Sequence, residues 1–154
     1  MRAAFSGRPY PGDDGLLERQ PGSRGAELEE AWDFFQGRSW SDVLEEADGV
    51  TLRDTMSFLS PGGLAYYLPA LALLSVDVED PGAVDDKLVR ELRSAPQEIA
   101  HRLDPAQQRA TVRLLQYLAS EYAGCSSADK SLADNPAQEA LDEYWSSYQE
   151  PDRG

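Results

Sequence analysis

The sequence predicts an all-α fold, a single compact bundle of about five or six helices around one buried central helix. Residues 56–74 (MSFLSPGGLAYYLPALALL) form its most apolar stretch. A helix that is apolar on every side is buried on most of them, so this stretch is expected at the centre. Elsewhere, apolar residues recur at helical spacing, and no run alternates between apolar and polar residues as a half-buried strand does.

The central helix is predicted over residues 60–74 from its own start signal. Ser60 is a favourable N-cap, and Pro61 suits the first helical position, where a missing N–H costs nothing. Pro69 predicts a kink within the helix. A membrane span is the competing interpretation, but a span needs about 20 apolar residues. This stretch is shorter and contains an internal proline, which favours the core of a soluble protein.

The flanking helices are predicted from apolar periodicity, capping residues and breakers. They are expected over residues 26–36, 42–47, 84–95, 105–123 and 136–149. Residues 50–54 fit either a short extended piece or one helical turn, and residues 99–103 form a brief apolar bridge. The helix over 105–123 has the clearest pattern, because Asp104 and Pro105 start it and Gly124 ends it.

Composition divides the chain into three parts. Residues 1–25 form a Pro/Gly-rich N-terminal arm, residues 26–149 the helical domain, and residues 150–154 a tail. Two interpretations of the arm stay open, namely a disordered tail and a strap across the core. The strap would be held by four apolar side chains, Phe5, Tyr10, Leu16 and Leu17.

The chain is strongly acidic, with 14 Lys and Arg against 28 Asp and Glu and a net charge of −14. Residues 1–25 hold four Arg against three acids, about +1, so the remaining residues carry about −15. This charge disfavours binding to nucleic acid and to anionic membrane surfaces. It favours either plain solubility or a basic protein partner.

Cysteine usage and the N-terminus indicate the compartment. Cys125 is the single cysteine, so an internal disulfide is excluded. The first residues, MRAAFSGRPYPGDD, lack the apolar region of a signal peptide. A reducing, cytoplasmic location is therefore expected.

The residues that usually carry catalysis are sparse. His101 is the only histidine, and no G-x-S-x-G turn is present. Cys125 has Glu121 and Asp129 nearby in sequence, which disfavour a reactive thiolate. Gly62-Gly63 could hold an anion at a helix start, but no Lys or Ser/Thr follows as in a P-loop. The sequence therefore predicts neither an enzyme nor a cofactor.

Two pairs of carboxylates have the i,i+4 spacing that could hold a divalent metal, Glu29 with Asp33 and Asp42 with Glu46. Bundle di-metal sites also need Glu-x-x-His on two helices, which this chain lacks. The acidic stretch over residues 77–80 (DVED) lacks the ligand spacing of a calcium loop. Solvated helix faces are the simpler interpretation, and a metal-dependent enzyme remains the least favoured alternative.

Tyr66 and Tyr67 are adjacent on the predicted central helix and therefore point about 100° apart. One is expected to reach the core and the other a groove or the surface. Aromatic residues with a polar group are enriched at interfaces, although core packing is their commoner use.

The stretch over residues 57–70, SFLSPGGLAYYLPA, resembles a family of small, uncharacterised bacterial proteins centred on a phrase like FLSPEAxRYYLPA. The resemblance covers residues 4–122, with weaker matches at residues 4–5, 10–11, 37–40, 103–107 and 117–118. This chain departs from the phrase by having Gly62-Gly63 in place of Glu-Ala. The family has no assigned activity, and its members look like accessory proteins found among bacterial toxin, immunity and defence genes.

These observations predict a non-enzymatic, acidic protein-binding module, such as an inhibitor or immunity-type protein for a basic partner. The expected partner-binding residues are Asp42, Glu45, Glu46, Tyr66, Asp77, Glu79 and Asp80. The main alternative is a structural or regulatory domain that forms a homodimer through the apolar face of residues 141–148.

Overall fold

A computed structural model describes residues 1–18, 25–76, 84–124 and 135–149. These ranges contain helices and no strand beyond one isolated bridge, which confirms the all-α prediction. The helices are α1 (Arg2–Phe5), α2 (Ala26–Phe35), α3 (Trp40–Glu46), α4 (Gly49–Met56), α5 (Pro61–Ser75), α6 (Asp85–Ser94), α7 (Pro96–Ala100), α8 (Pro105–Gly124) and α9 (Pro136–Glu143). Two 3-10 turns, Asp13–Gly15 and Trp145–Tyr148, complete the set.

The predicted central helix is α5. It begins as expected, because the Ser60 hydroxyl accepts a hydrogen bond from the Gly63 N–H at 2.9 Å and Pro61 occupies the first helical position. Every residue from 63 to 72 is buried, and α3, α4, α6 and α7 all contact this helix. The helix continues through Pro69. Among the described helices, none combines the length and the apolarity that a membrane crossing requires.

The described part of the chain contains more helices than the five or six predicted, because three short helices, α1 in the arm, α4 and α7, occupy segments without a definite helical assignment. The ambiguous residues 50–54 lie in α4, which Asp48 caps by accepting a hydrogen bond from the Thr51 N–H at 2.7 Å. Part of the expected apolar bridge over residues 99–103 belongs to α7, which begins at Pro96. Both helices start with a cap or a proline, which fits the local rules for a helix start.

The last helix is shorter than predicted. α9 ends at Glu143, and Tyr144 has φ −150° and ψ −52°, which breaks the helix before the 3-10 turn Trp145–Tyr148. This break directs the Trp145 indole into the core, where its Nε1–H donates to the Leu92 carbonyl oxygen at 3.1 Å. Burial of a large aromatic ring with a satisfied N–H outweighs one more turn of regular helix.

The N-terminal arm crosses the beginning of α5, as the strap interpretation expects. Phe5 and Leu16 are fully buried, and Leu17 is nearly so. The arm also pairs with the chain that precedes α5. The Ser60 N–H donates to the Leu16 carbonyl at 2.8 Å, and the Glu18 N–H donates to the Phe58 carbonyl at 3.0 Å. Residues 1–18 therefore form a strap across the core, while residues 19–24 lie outside the described residues.

Gly63 allows the arm to lie this close to α5. A Cβ at this position would overlap the Leu16 carbonyl oxygen and would lie 3.0 Å from the Leu16 carbonyl carbon. The same carbonyl accepts the Ser60 N–H, so the arm backbone cannot shift without loss of that hydrogen bond. Any side chain at residue 63 must therefore displace the arm or bend the first turn of α5.

Gly63→Ala is expected to lower the free energy of unfolding by about 1–3 kcal/mol, the usual cost of overpacking. The sign is informative, because replacement of glycine by alanine within a helix otherwise adds stability of up to about 1 kcal/mol. Gly7→Ala is the matched control, since a Cβ at Gly7 meets nothing within 4 Å. Urea denaturation measures both variants. A Gly63→Ala variant as stable as the wild type would contradict the close contact.

Candidate functional site

The first candidate feature is an acidic surface on α2, α3 and α4. Residues 26–56 contain nine Asp and Glu against two Arg, a net charge of −7, whereas residues 84–124 contain six acidic and six basic residues. All nine carboxylates are exposed. We define the acidic surface as these nine residues, namely Glu27, Glu29, Glu30, Asp33, Asp42, Glu45, Glu46, Asp48 and Asp54.

Two carboxylates of the acidic surface cap helices. Asp42 accepts a hydrogen bond from the Ser39 N–H at 2.9 Å while the Ser39 hydroxyl accepts one from the Asp42 N–H at 3.2 Å, which forms a capping box for α3. Asp48 caps α4 through Thr51. The Ser39 hydroxyl, which also donates to Asp42 Oδ2 at 2.7 Å, and then the Ser39 N–H hold the pKa of the Asp42 carboxyl below its usual range, as the N–H and hydroxyl of Thr51 do for Asp48. The predicted partner contact Asp42 therefore has a structural role in α3.

Two further carboxylates form exposed ion pairs. Glu46 lies 2.9 Å from the Arg38 guanidinium, and Asp54 lies 3.1 Å from that of Arg53. Among the predicted partner contacts on α3, Glu45 is the exposed residue that neither caps a helix nor forms an ion pair within the described residues. Within the described part of the chain, five members of the acidic surface make no side-chain hydrogen bond or ion pair, namely Glu27, Glu29, Glu30, Asp33 and Glu45.

The other predicted contacts lie elsewhere. Asp77, Glu79 and Asp80 fall outside the described residues. Tyr66 is only 3% exposed, and its ring lies edge-on to that of Tyr10, with 5.5 Å between the ring centroids. A protein partner could therefore reach no more than the edge of the Tyr66 ring.

Tyr67 is the tyrosine that points into the core. It is fully buried, and its hydroxyl lies 2.9 Å from the Phe35 carbonyl oxygen and 2.8 Å from the Arg38 carbonyl oxygen. This hydroxyl holds the end of α2 against α5, and burial raises its pKa well above the usual range. The expectation of one core tyrosine is therefore correct, and Tyr66 faces a cleft beneath the arm.

The second candidate feature is this cleft, which has a volume of about 590 Å³. It lies between the arm, the first turns of α5 and the junction of α7 with α8, and its volume is typical of small-ligand sites. No local sequence pattern predicts this cleft, because its walls come from three distant parts of the chain. The polar side chains in its walls are Arg8, Tyr10, Tyr66, Arg102, Asp104 and Gln107.

Gln107 joins the arm to the beginning of α8. It is 4% exposed, and its side-chain oxygen accepts from the Asp104 N–H at 3.1 Å, while Asp104 accepts from the Gln107 N–H at 2.9 Å. The same oxygen accepts from Arg8 Nη1 at 2.6 Å, and its amide nitrogen donates to the Ala4 carbonyl at 3.1 Å. One side chain therefore completes a capping box and fixes one wall of the cleft.

Tyr10 fixes the middle of the arm. Its hydroxyl donates to Asp13 Oδ1 at 2.5 Å and accepts from the Gly37 N–H at 3.0 Å. The hydrogen bond from Tyr10 lowers the pKa of Asp13, and burial followed by the bond to Asp13 raises the pKa of Tyr10. The arm is therefore attached to α2 as well as to α5 and α8.

Two arginines give the cleft its positive charge. Arg8 is half-buried, and burial lowers its pKa, with Asp104 acting in the opposite sense and Arg102 in the same sense. Arg102 is exposed and lies against α5, because its Nη1 is 3.3 Å from the position of a Cβ on Gly62. Its guanidinium makes no hydrogen bond or ion pair within the described residues.

The surface expected for a homodimer is partly buried. Leu141 and Trp145 are 4% and 0% exposed, because α9 and the turn after it pack on α6 and α8. Leu141 and Trp145 therefore fill the core and are not available to a second copy, whereas Tyr144 and Tyr148 are half-exposed, and self-association of the protein stays a prediction. The helical spacing correctly identified an apolar face, and the buried residues of this face pack against α6 and α8 of the same chain.

The remaining sequence candidates stay apart. His101 is exposed at the end of α7, and Cys125 lies outside the described residues. In the part of the chain that the structure describes, no three His, Cys, Asp or Glu side chains come together in a group that could hold a metal ion.

Gln107→Ala is expected to lower the free energy of unfolding by about 1–3 kcal/mol, because three part-buried hydrogen bonds, from Arg8 and Asp104 and to the Ala4 carbonyl, are lost together. Gln116→Ala is the control, since Gln116 is exposed on the same helix. Thermal and urea denaturation compare the two variants. Equal stability of both variants would show that the Gln107 hydrogen bonds do not hold the arm.

Comparison with known proteins identifies the family. A family of unknown function (DUF6714) matches residues 23–149, which is most of the chain. The match begins after the described part of the arm, and so does not include Arg8 or Tyr10. No curated protein and no solved structure matches the chain. The α2–α9 region carries the family match, and the chain belongs to this family of unknown function.

Proposed function

We propose that the protein is a non-enzymatic binding module whose acidic surface binds a basic protein, as an inhibitor or immunity-type protein would. The single observation that carries the proposal is the concentration of nine exposed carboxylates on α2, α3 and α4, with a net charge of −7 over residues 26–56. Such a field attracts a positively charged surface and raises the rate of association.

The arrangement of these carboxylates supports the proposal. Capping by Asp42 and Asp48 orders α3 and α4, so the neighbouring carboxylates project from rigid helices. Five of the carboxylates make no side-chain hydrogen bond or ion pair within the described residues, which leaves them available to a partner. Half-buried Trp32 and Trp40 lie on the same helices and supply aromatic contact area, which gives a complex its residence time.

We infer that the protein acts in the bacterial cytoplasm. The resemblance of residues 58–70 to the central phrase of small bacterial proteins supports the bacterial source. The single cysteine, which cannot form a disulfide within the chain, supports a reducing compartment.

The test begins with affinity capture of a basic partner from host lysate, with elution across a salt gradient. Association rates of the purified pair are then measured for the wild type and a charge-reversed variant. Glu29→Lys, Asp33→Lys and Glu45→Lys change exposed side chains that have no capping role. We expect association to slow by about tenfold or more, because the steering field reverses locally.

The control variant has the same change in net charge elsewhere. Asp86→Lys, Glu98→Lys and Glu121→Lys alter exposed residues of α6, α7 and α8. A much smaller effect of this triple change is expected, since those residues lie outside the acidic surface. Equal slowing by both triple variants would show that the position of the charge does not matter, and would contradict the proposal. The lack of any basic partner eluted by salt would also refute it.

A further inference from the structure

The cleft under the arm has a charge opposite to that of the chain as a whole. Its walls contain two guanidinium groups, Arg8 and Arg102, and one carboxylate, Asp104, in a protein of net charge −14. The two arginines are 94 positions apart in sequence and meet because the arm crosses the junction of α7 and α8. Solubility does not explain why two guanidinium groups share one cleft, because their like charges repel each other.

The charges in the cleft are poorly neutralised within the described part of the protein. The Arg102 guanidinium makes no hydrogen bond or ion pair there, and the Arg8 guanidinium donates to the uncharged side chain of Gln107. Asp104 offsets one of the two positive charges, which leaves the cleft with a net positive charge. Two guanidinium groups therefore remain with unused donors around one space of about 590 Å³.

We propose that this cleft binds a small ligand through a phosphate group placed between Arg8 and Arg102. Guanidinium groups bind phosphate oxygens in a bidentate manner, and a phosphate monoester has a charge close to −2 at neutral pH. A phosphate monoester has three terminal oxygens that accept hydrogen bonds, so it can accept from both guanidinium groups at once, whereas a carboxylate has only two oxygens. The number of acceptor oxygens therefore favours a phosphate over a carboxylate in this cleft.

The walls of the cleft favour a small ligand over a macromolecule. The overall negative charge of the chain repels nucleic acid, so an anion must be held by local contacts within the cleft. Pro9 and Tyr10 offer an apolar wall to the rest of a phosphate ester. Gly62 leaves the space beside Arg102 open, since a Cβ there would lie 3.3 Å from Arg102 Nη1.

Calorimetric titration of the full chain with inorganic phosphate and with phenyl phosphate, at constant ionic strength, tests the proposal. Binding of one phosphate per chain is expected, and phenyl phosphate is expected to bind more tightly because its ring meets the apolar wall. Arg102→Gln should weaken both by about tenfold or more, since half of the arginine pair is lost. This variant should fold normally, because the Arg102 guanidinium forms no hydrogen bond within the described residues.

Arg90→Gln is the matched control, because Arg90 is exposed on α6 and does not line the cleft. Arg8→Gln is a second variant, and circular dichroism establishes that it folds before titration. Lack of heat with both phosphate compounds would overturn the proposal. So would equal weakening by Arg90→Gln and Arg102→Gln, or binding of acetate as tight as that of inorganic phosphate.

Discussion

The close contact between the arm backbone and the first turn of α5 is the constraint on which the structure depends. α5 is apolar around its whole circumference, so water must be excluded from every side of it. Other helices cover most sides, and residues 15–18 of the arm cover the beginning. That cover requires a residue without a Cβ at position 63 and a hydrogen bond from Ser60 to Leu16.

The same contact creates the cleft. Once Leu16 and Leu17 are fixed, the preceding arm residues must pass over the junction of α7 and α8, where Gln107 binds Arg8 and the Ala4 carbonyl. The path of the arm therefore has two consequences: it covers the beginning of α5, and it brings Arg8 to the same cleft as Arg102. The acidic surface is independent of this path, because α2, α3 and α4 present it on the opposite side of their core contacts.

Much of the fold could be predicted from local signals, and most of the cleft could not. The starts of α5, α8 and α9 each carry a capping residue followed by proline, which is why their positions were predicted closely. The break at Tyr144 could not be predicted, because it depends on the distant carbonyl that Trp145 binds. Asp104 was predicted to start α8, and the capping-box spacing of Ser39 with Asp42 and of Asp104 with Gln107 could also have identified the structural roles of Asp42 and Gln107. The meeting of Arg8 with Arg102 has no sequence signal.

Hydrogen exchange at the amides of Glu18 and Ser60 tests most directly the claim that the arm is part of the core. Both amides donate to carbonyls across the contact between the arm and the residues before α5. If the arm leaves only when the whole protein unfolds, these two amides exchange with the same free energy as amides in the middle of α5. Exchange at a much lower free energy than that of α5 would show that the arm detaches alone, and would contradict the account.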